Sequence, residues 1–173
     1  TKLLEILTHD VQRIERLITD YSQMLKDEVA LSKEQMKKLD IQPIIQSVVE
    51  DYNNIYKFKK NISINYQNDG KSEYLINGIE NRIEQIVANL LDNSISFSDD
   101  GSEVTVNVSN GLEKKVTVKI LDEGQGFKEK DTSKIFNRFY SNRPENFGEH
   151  SGLGLNIVKN LVQLHDGKIE ASN

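Results

Sequence analysis

The chain has 173 residues, 36% of them hydrophobic and 28% charged, with a net charge of −5 and no cysteine. That length supports one ordinary core plus a smaller appendage, and the missing cysteine excludes disulfides, thiol catalysis and thiolate metal sites. No apolar run approaches the ~20 residues of a membrane-spanning helix and no signal-peptide pattern opens the sequence; dispersed basic residues in an acidic chain argue against a nucleic-acid partner.

Leu4, Leu7, Val11, Ile14, Ile18, Tyr21 and Leu25 recur at alternating spacings of three and four. This heptad seam predicts a helix that must be covered by a partner helix or by this chain's own core. Leu3, Leu17 and Met24 widen the stripe, which suits a dimerising helical bundle better than a thin coiled coil. Residues 26–38 show no periodic face and read as the helix end and a connection, so the chain divides into a helical segment over 1–39 and a second domain over 40–173.

Asp40-Ile41-Gln42-Pro43 predicts an N-cap with proline in the first turn, opening a helix with Ile44, Ile45, Val48, Val49, Tyr52 and Ile55 inward. Ile62 to Tyr66 alternates as a strand, Asn68-Asp69-Gly70 is a turn, and Tyr74-Leu75-Ile76 is a short strand. Ile79, Ile83, Ile86, Val87, Leu90, Leu91 and Ile95 predict an amphipathic helix over 79–97. Val104 to Val108 and Val116 to Leu121 flank Asn110-Gly111 as a hairpin. A polar stretch over 128–150 carries an aromatic island at 136–140, and a helix over 153–165 and a strand starting at 167–171 complete an α+β order, a sheet with helices on one face.

Four motifs carry chemistry. Asn89 and Asn93 share one helix face and offer hard, neutral oxygens suited to a magnesium ion that bridges phosphates; a solvated face or cap is the plain alternative. Asp122-Glu123-Gly124-Gln125-Gly126-Phe127 sets a carboxylate at a strand end, able to accept from an exocyclic amine, beside glycines that admit a flat base; a surface turn is the alternative. Ile135-Phe136-Asn137-Arg138-Phe139-Tyr140 puts one arginine among aromatics, either a lid anchor with Arg138 reaching a phosphate or ordinary packing. Ser151-Gly152-Leu153-Gly154-Leu155 runs into a helix whose amides and dipole favour an anion, although a glycine pair there is also a common tight turn.

These blocks, in this order, resemble the N, G1, F and G2 boxes of the sensor histidine kinase ATP-binding domain, the Bergerat-type fold shared with type II topoisomerases, Hsp90 chaperones and mismatch-repair ATPases. The resemblance covers residues 40–173, and Gln12 to Asp20 resembles the second helix of the family's dimerisation and phosphotransfer bundle. It implies a two-layer α/β sandwich that binds ATP and Mg2+. Asn93 would ligate magnesium with Asn89 beside it as a catalytic residue; Asp122 would pair with the adenine amine, Gly124 and Gly126 would shape the base pocket, and Phe97 would lie against the base. Phe136 would belong to the same site, Arg138 would act near the terminal phosphate, and Ser151, Gly152, Leu153, Gly154 and Leu155 would give backbone contacts to the triphosphate. Residues 128–150 would form a lid that orders on binding.

The same resemblance implies a homodimer through the bundle, a response-regulator receiver domain as partner, and a cytoplasmic domain of a membrane-anchored parent. It also implies a piece of a longer protein, without the first bundle helix that carries the phosphoacceptor histidine and without a last strand. His9-Asp10 lacks the proline that follows the family's phosphoacceptor, and His165-Asp166-Gly167 resembles a helix-ending signal. Ser96 replaces a frequent basic residue, and Glu149-His150 stands where two glycines are common. Relatives of the gyrase type activate water with a glutamate at position 89, whereas an amide takes no proton, so phosphoryl transfer is favoured over hydrolysis. A noncatalytic dimerising nucleotide sensor is the remaining alternative.

Overall fold

The computed structural model describes residues 4, 6–8, 11, 14, 15, 18, 19, 21, 22, 25, 34–71, 73–111, 115–128, 131–140 and 152–173. In chain order these contain β1 (Lys37–Asp40), α1 (Ile41–Lys59), β2 (Ser63–Asn68), β3 (Leu75–Gly78), α2 (Glu80–Phe97), β4 (Glu103–Asn110), β5 (Val116–Asp122), a 3-10 helix (Thr132–Phe136) and α3 (Gly154–Leu164). The architecture is α+β, as the element order requires.

The described positions between 4 and 25 are all helical, and every one of the seam residues Leu4, Leu7, Val11, Ile14, Ile18, Tyr21 and Leu25 is exposed. Among the described residues, none covers this stripe.

Asp40 is the hinge between β1 and α1. Its Oδ1 accepts from Gln42 N at 3.1 Å, satisfying a first-turn donor, and from Tyr74 N at 3.0 Å, tying the cap to the start of β3. At the other end of α1, Asn61 takes the left-handed conformation (φ 53°), a stop that asparagine tolerates better than most residues.

β2, β4 and β5 form one sheet in the order β2-β4-β5. β2 runs parallel to β4 from Ser63↔Glu103 to Asn68↔Val108, and β4 pairs antiparallel with β5 from Val104↔Asp122 to Asn110↔Val116. The period of two along β4 turns Val104, Val106 and Val108 inward, where they are fully buried beneath Ile45 and Val49 of α1 and Val87 and Leu91 of α2. Two helices on one face of three strands make the core, and α3 packs against α2 beside it.

The free edge of β2 is closed by a side chain. Asn53 of α1 donates through Nδ2 to Ile64 O at 2.7 Å and accepts from Ile64 N at 2.8 Å, so its amide pairs as a neighbouring strand would.

Four expectations need correction. Lys37 and Lys38, expected in the connection, open a strand, Lys37–Asp40, paired antiparallel with β3 from Lys37↔Gly78 to Asp40↔Leu75, and the division at 39/40 falls inside it. The short strand expected over Tyr74-Leu75-Ile76 spans Leu75–Gly78 and pairs with β1, while Tyr74 is buried and its hydroxyl donates to Asp69 Oδ1. Ile55 is exposed, lying past the inward face of α1. Residues 167–171 join no ladder among the described residues; this stretch is held by side chains, Thr132 Oγ1 donating to Ala171 O and Asn173 pairing with Phe127.

One ion pair fastens the stretch before β1 to α2. Arg82, 6% exposed, donates through Nε and Nη2 to the two Glu34 carboxylate oxygens at 2.9 Å each, and through Nη1 to Gln85 Oε1. These bonds, chiefly the side-chain hydrogen bond from Arg82, hold the Glu34 carboxyl below its ordinary value of 4.5. Because the folded state lowers this value, the pair stabilises fully above 4.5 and loses its contribution as pH falls through the lowered value. Glu34→Gln should therefore cost about 1–3 kcal/mol near neutral pH by removing the carboxylate that pairs with a buried guanidinium. Thermal denaturation should show a gap from the wild type that closes on acidification below 4.5; a gap independent of pH would contradict the assignment.

Candidate functional site

The polar side of α2 is the floor of the site. Its apolar stripe must face the sheet, so the residues between, Asn89 and Asn93, come to lie one turn apart on the flank, half-buried. The helix lacks a side-chain cap at Ile79; instead Ile79 N donates to His165 Nε2 at 3.1 Å, while His165 Nδ1 lies 2.7 Å from Leu161 O. One imidazole ring joins the start of α2 to the end of α3. The helix-ending histidine is thus also a tie between the two helices that flank the site.

On its other side α2 is held to α1. Tyr52 OH donates to Asp92 Oδ1 at 2.9 Å and lies 3.2 Å from Ala88 O, and its ring stacks on Tyr56 with centroids 5.7 Å apart. Burial, reinforced by the Asp92 carboxylate, pushes the Tyr52 hydroxyl well above its ordinary range, so it remains a donor at any physiological pH. Ser96, where a basic residue is frequent in the resembled family, donates to Asn93 O at 2.8 Å and so turns back on its own helix.

The loop after β5 closes one wall. Asp122 Oδ1 accepts from Gly124 N at 2.9 Å, and the loop then runs so near the end of α2 that a Cβ on Gly124 would meet Phe97 O and Asp122 Oδ1, each at 2.8 Å. Only glycine fits there. Gly126 is left-handed at φ +69°. Asp122 is exposed, and a carboxylate has about four lone-pair positions, so the turn bond leaves it able to accept from a second donor. Phe97, at 38% exposed, shows part of its ring beside this loop.

The opposite wall is the start of α3. Leu153 provides no side-chain cap, and the first turn holds no acidic residue, so its amide donors and positive dipole end are left to other acceptors. Gly154 faces α2: a Cβ there would sit 3.5 Å from Asn89 Oδ1. Gly152 is left-handed at φ +68° and packed on the aromatic island, with Phe139 N donating to its carbonyl at 3.0 Å. Phe136 is buried and serves as the anchor of this segment. Arg138 is exposed and donates through Nε to Asn156 Oδ1 at 3.3 Å, while Asn156 Nδ2 donates to Phe136 O at 3.0 Å.

The contacts that join these segments are Gly154 beside Asn89, Gly124 against Phe97 O, Gly152 O with Phe139 N, and Arg138 with Asn156. Leu153 itself is fully buried. Ser151, His9, His150 and most of the expected lid, residues 129, 130 and 141–150, lie outside the described residues. Asn156 and His165 carry more of the geometry than their sequence positions indicate; the signal for Asn156 is a polar residue on the inward stripe of an apolar helix.

Among the described residues no group of three or more His, Cys, Asp or Glu side chains is placed to hold a metal ion. A divalent cation here would rest on amide oxygens and on anionic oxygens brought by a ligand, a donor set that fits magnesium rather than zinc.

The chain is thus an α+β domain with a mixed sheet under two helices, in which the uncapped start of α3 sets Gly154 beside Asn89 of α2. Residues 78–173 match the histidine kinase-, DNA gyrase B- and HSP90-like ATPase family, and the chain belongs to that family. It is similar to sensor protein ChvG of Agrobacterium fabrum, 36% identical over 179 aligned residues that cover 99% of this chain and 30% of that protein. In fold it matches full-length ShkA in complex with AMPPNP at a TM-score of 0.68, with 21% identity over 94% of this chain and 33% of that one. It also matches the histidine kinase ThkA in complex with response regulator protein TrrA, at a TM-score of 0.66 with 21% identity over 96% of this chain and 45% of that one. The chain thus spans about a third of the length of ChvG. No described helix is long and apolar enough to cross a membrane.

The two glycines of the last motif differ in what they tolerate. Gly152→Ala forces a side chain into a left-handed position, with its Cβ 2.9 Å from Tyr140 O, and should cost about 1–3 kcal/mol. Gly154→Ala meets only an ordinary contact in a helix and should leave stability equal or higher. Urea denaturation of the two variants measures this, and equal losses would contradict the backbone assignment.

Proposed function

We propose that this chain is the ATP-binding catalytic part of a two-component sensor histidine kinase, with part of its dimerisation bundle preceding it. The observation that carries this reading is the set of contacts between the motif segments, Gly154 beside Asn89 and Gly124 against Phe97 O. The likeness to sensor protein ChvG over nearly the whole chain supports it independently.

In this reading the adenine amine donates to Asp122, the base lies over the backbone at Gly124 and Gly126, and Phe97 covers one edge. The triphosphate takes backbone donors from Ser151, Gly152, Leu153, Gly154 and Leu155, where the start of α3 has no competing cap. Asn93 holds Mg2+ with Asn89 beside it; when bound, the ion supplies charge neutralisation for the phosphates. Arg138 acts at the terminal phosphate, steered by Asn156, with Phe136 anchoring the segment that bears it. The γ-phosphoryl passes to a histidine on another helix and then to an aspartate of a response-regulator receiver domain.

Phosphoryl transfer of this kind depends on positioning and charge neutralisation. The amide at 89 offers no base for activating water, which favours transfer over hydrolysis. The exposed stripe over 4–25 supports a homodimer built through helices, and the two-part organisation, 1–39 and 40–173, follows the same reading with β1 joined to the second part. The proposed setting is a cytoplasmic domain of a membrane-anchored parent.

Asp122→Ala should weaken binding of Mg-ATP by about 1.5–3 kcal/mol, the worth of a hydrogen bond to a charged group, as read by calorimetric titration. Unchanged affinity would remove the adenine assignment. To separate kinase from noncatalytic sensor, a bundle helix carrying the family's histidine motif is supplied in trans with labelled ATP. Label on that histidine is expected, whereas ATP binding without transfer would favour the noncatalytic module.

A further inference from the structure

We infer that Asn173 is a positioning residue for the loop that ends β5, holding Gly126 and Phe127 where a bound base would meet them. The inference rests on the adenine-site reading above and adds a residue outside the four motifs.

Asn173 Oδ1 accepts from Phe127 N at 2.6 Å, and Asn173 Nδ2 donates to Phe127 O at 2.9 Å. One side-chain amide thus satisfies both backbone groups of a single loop residue. Asparagine is suited to this because its amide has the donor and acceptor geometry of a peptide unit. The same arrangement occurs on the opposite edge of the sheet, where Asn53 brackets Ile64.

The neighbouring glycine is shaped by this contact. A Cβ on Gly126 would lie 2.6 Å from Asn173 Oδ1, and Gly126 is left-handed. The chain reaches Gly126 only four residues after Asp122, so a loop anchored at Phe127 has little freedom left between the carboxylate and the anchor. Two residues earlier than Asn173, Ala171 O accepts from Thr132 Oγ1 at 2.7 Å. Residues 171–173 therefore clasp both the β5 loop and the start of the 3-10 helix that leads to Arg138. A purine placed against Asp122 meets a loop whose far end is already fixed, so less ordering is lost on binding.

The function of the clasp is tested with Asn173→Ala and Asn173→Asp in this whole chain, titrated with Mg-AMPPNP and, separately, with magnesium tripolyphosphate. Aspartate keeps an acceptor for Phe127 N but sets a carboxylate against Phe127 O. Both variants should weaken Mg-AMPPNP binding by about fivefold or more through faster dissociation, with tripolyphosphate binding unchanged, since only the base loop is loosened. A merely structural role would lower melting temperature and both affinities together. Gly126→Ala gives a second reading: its loss of Mg-AMPPNP affinity should be smaller in the Asn173→Ala background than alone, because the side chain it collides with is gone. Equal Mg-AMPPNP affinity for the wild type and both Asn173 variants, or additive losses in the double variant, would overturn the inference. Absence of Mg-AMPPNP binding to the wild type would instead overturn the adenine site itself.

Discussion

The rest of the structure depends on the double obligation of α2. One stripe of this helix, with Val87 and Leu91 at its centre, is buried against the sheet and α1, and that burial fixes its rotation. Once the rotation is fixed, Asn89 and Asn93 lie off that stripe, half-buried, with Asn89 beside Gly154 of α3. The polar ties around the helix then fix what packing alone leaves loose: Arg82 to Glu34 and Ile79 N to His165 near its start, Asp92 to Tyr52 midway, and Phe97 O against Gly124 at its end. The proposed site lies along a helix held in this way near both ends and at its middle.

Much of this was legible in the sequence because it rests on local rules. Alternation in β4 and β5, the 3.6-residue period of α2, the Asp40 cap and the left-handed glycines follow from residue type and spacing. What was not legible depends on partners distant in sequence. Lys37 to Asp40 has no strand signature of its own, being charged and short, and becomes β1 only because Leu75–Gly78 lies alongside. The same holds for Glu34, 48 residues from Arg82, and for His165, 86 residues from Ile79. A histidine that ties two helices together looks, in sequence, like any residue at a helix end. Residues 167–171 alternate as a strand does, yet their contacts run through side chains.

Asparagine recurs at the decisive places for related reasons. Its amide copies a peptide group, so Asn53 closes the free edge of β2 without another strand. Asn61 ends α1 in the left-handed conformation. Asn156 links Arg138 to Phe136 O across the base of the aromatic island. Asn53 and Asn156 supply donor and acceptor without charge, in partly or fully buried positions where a carboxylate or ammonium would carry a desolvation cost. In the proposed site Asn89 and Asn93 would extend the same chemistry, their neutral oxygens leaving the charge balance of a cation to anionic oxygens from its ligand.

The account's central claim is that the four motifs form a single ligand cleft at the end of α2. Backbone amide chemical shifts followed during titration with Mg-AMPPNP address it most directly, because each segment reports separately. Changes at Asn93, Gly124, Gly126, Gly152 and Gly154, saturating together with one dissociation constant, are the expected result. Shifts confined to other elements, or segments that saturate at different ligand concentrations, would contradict it.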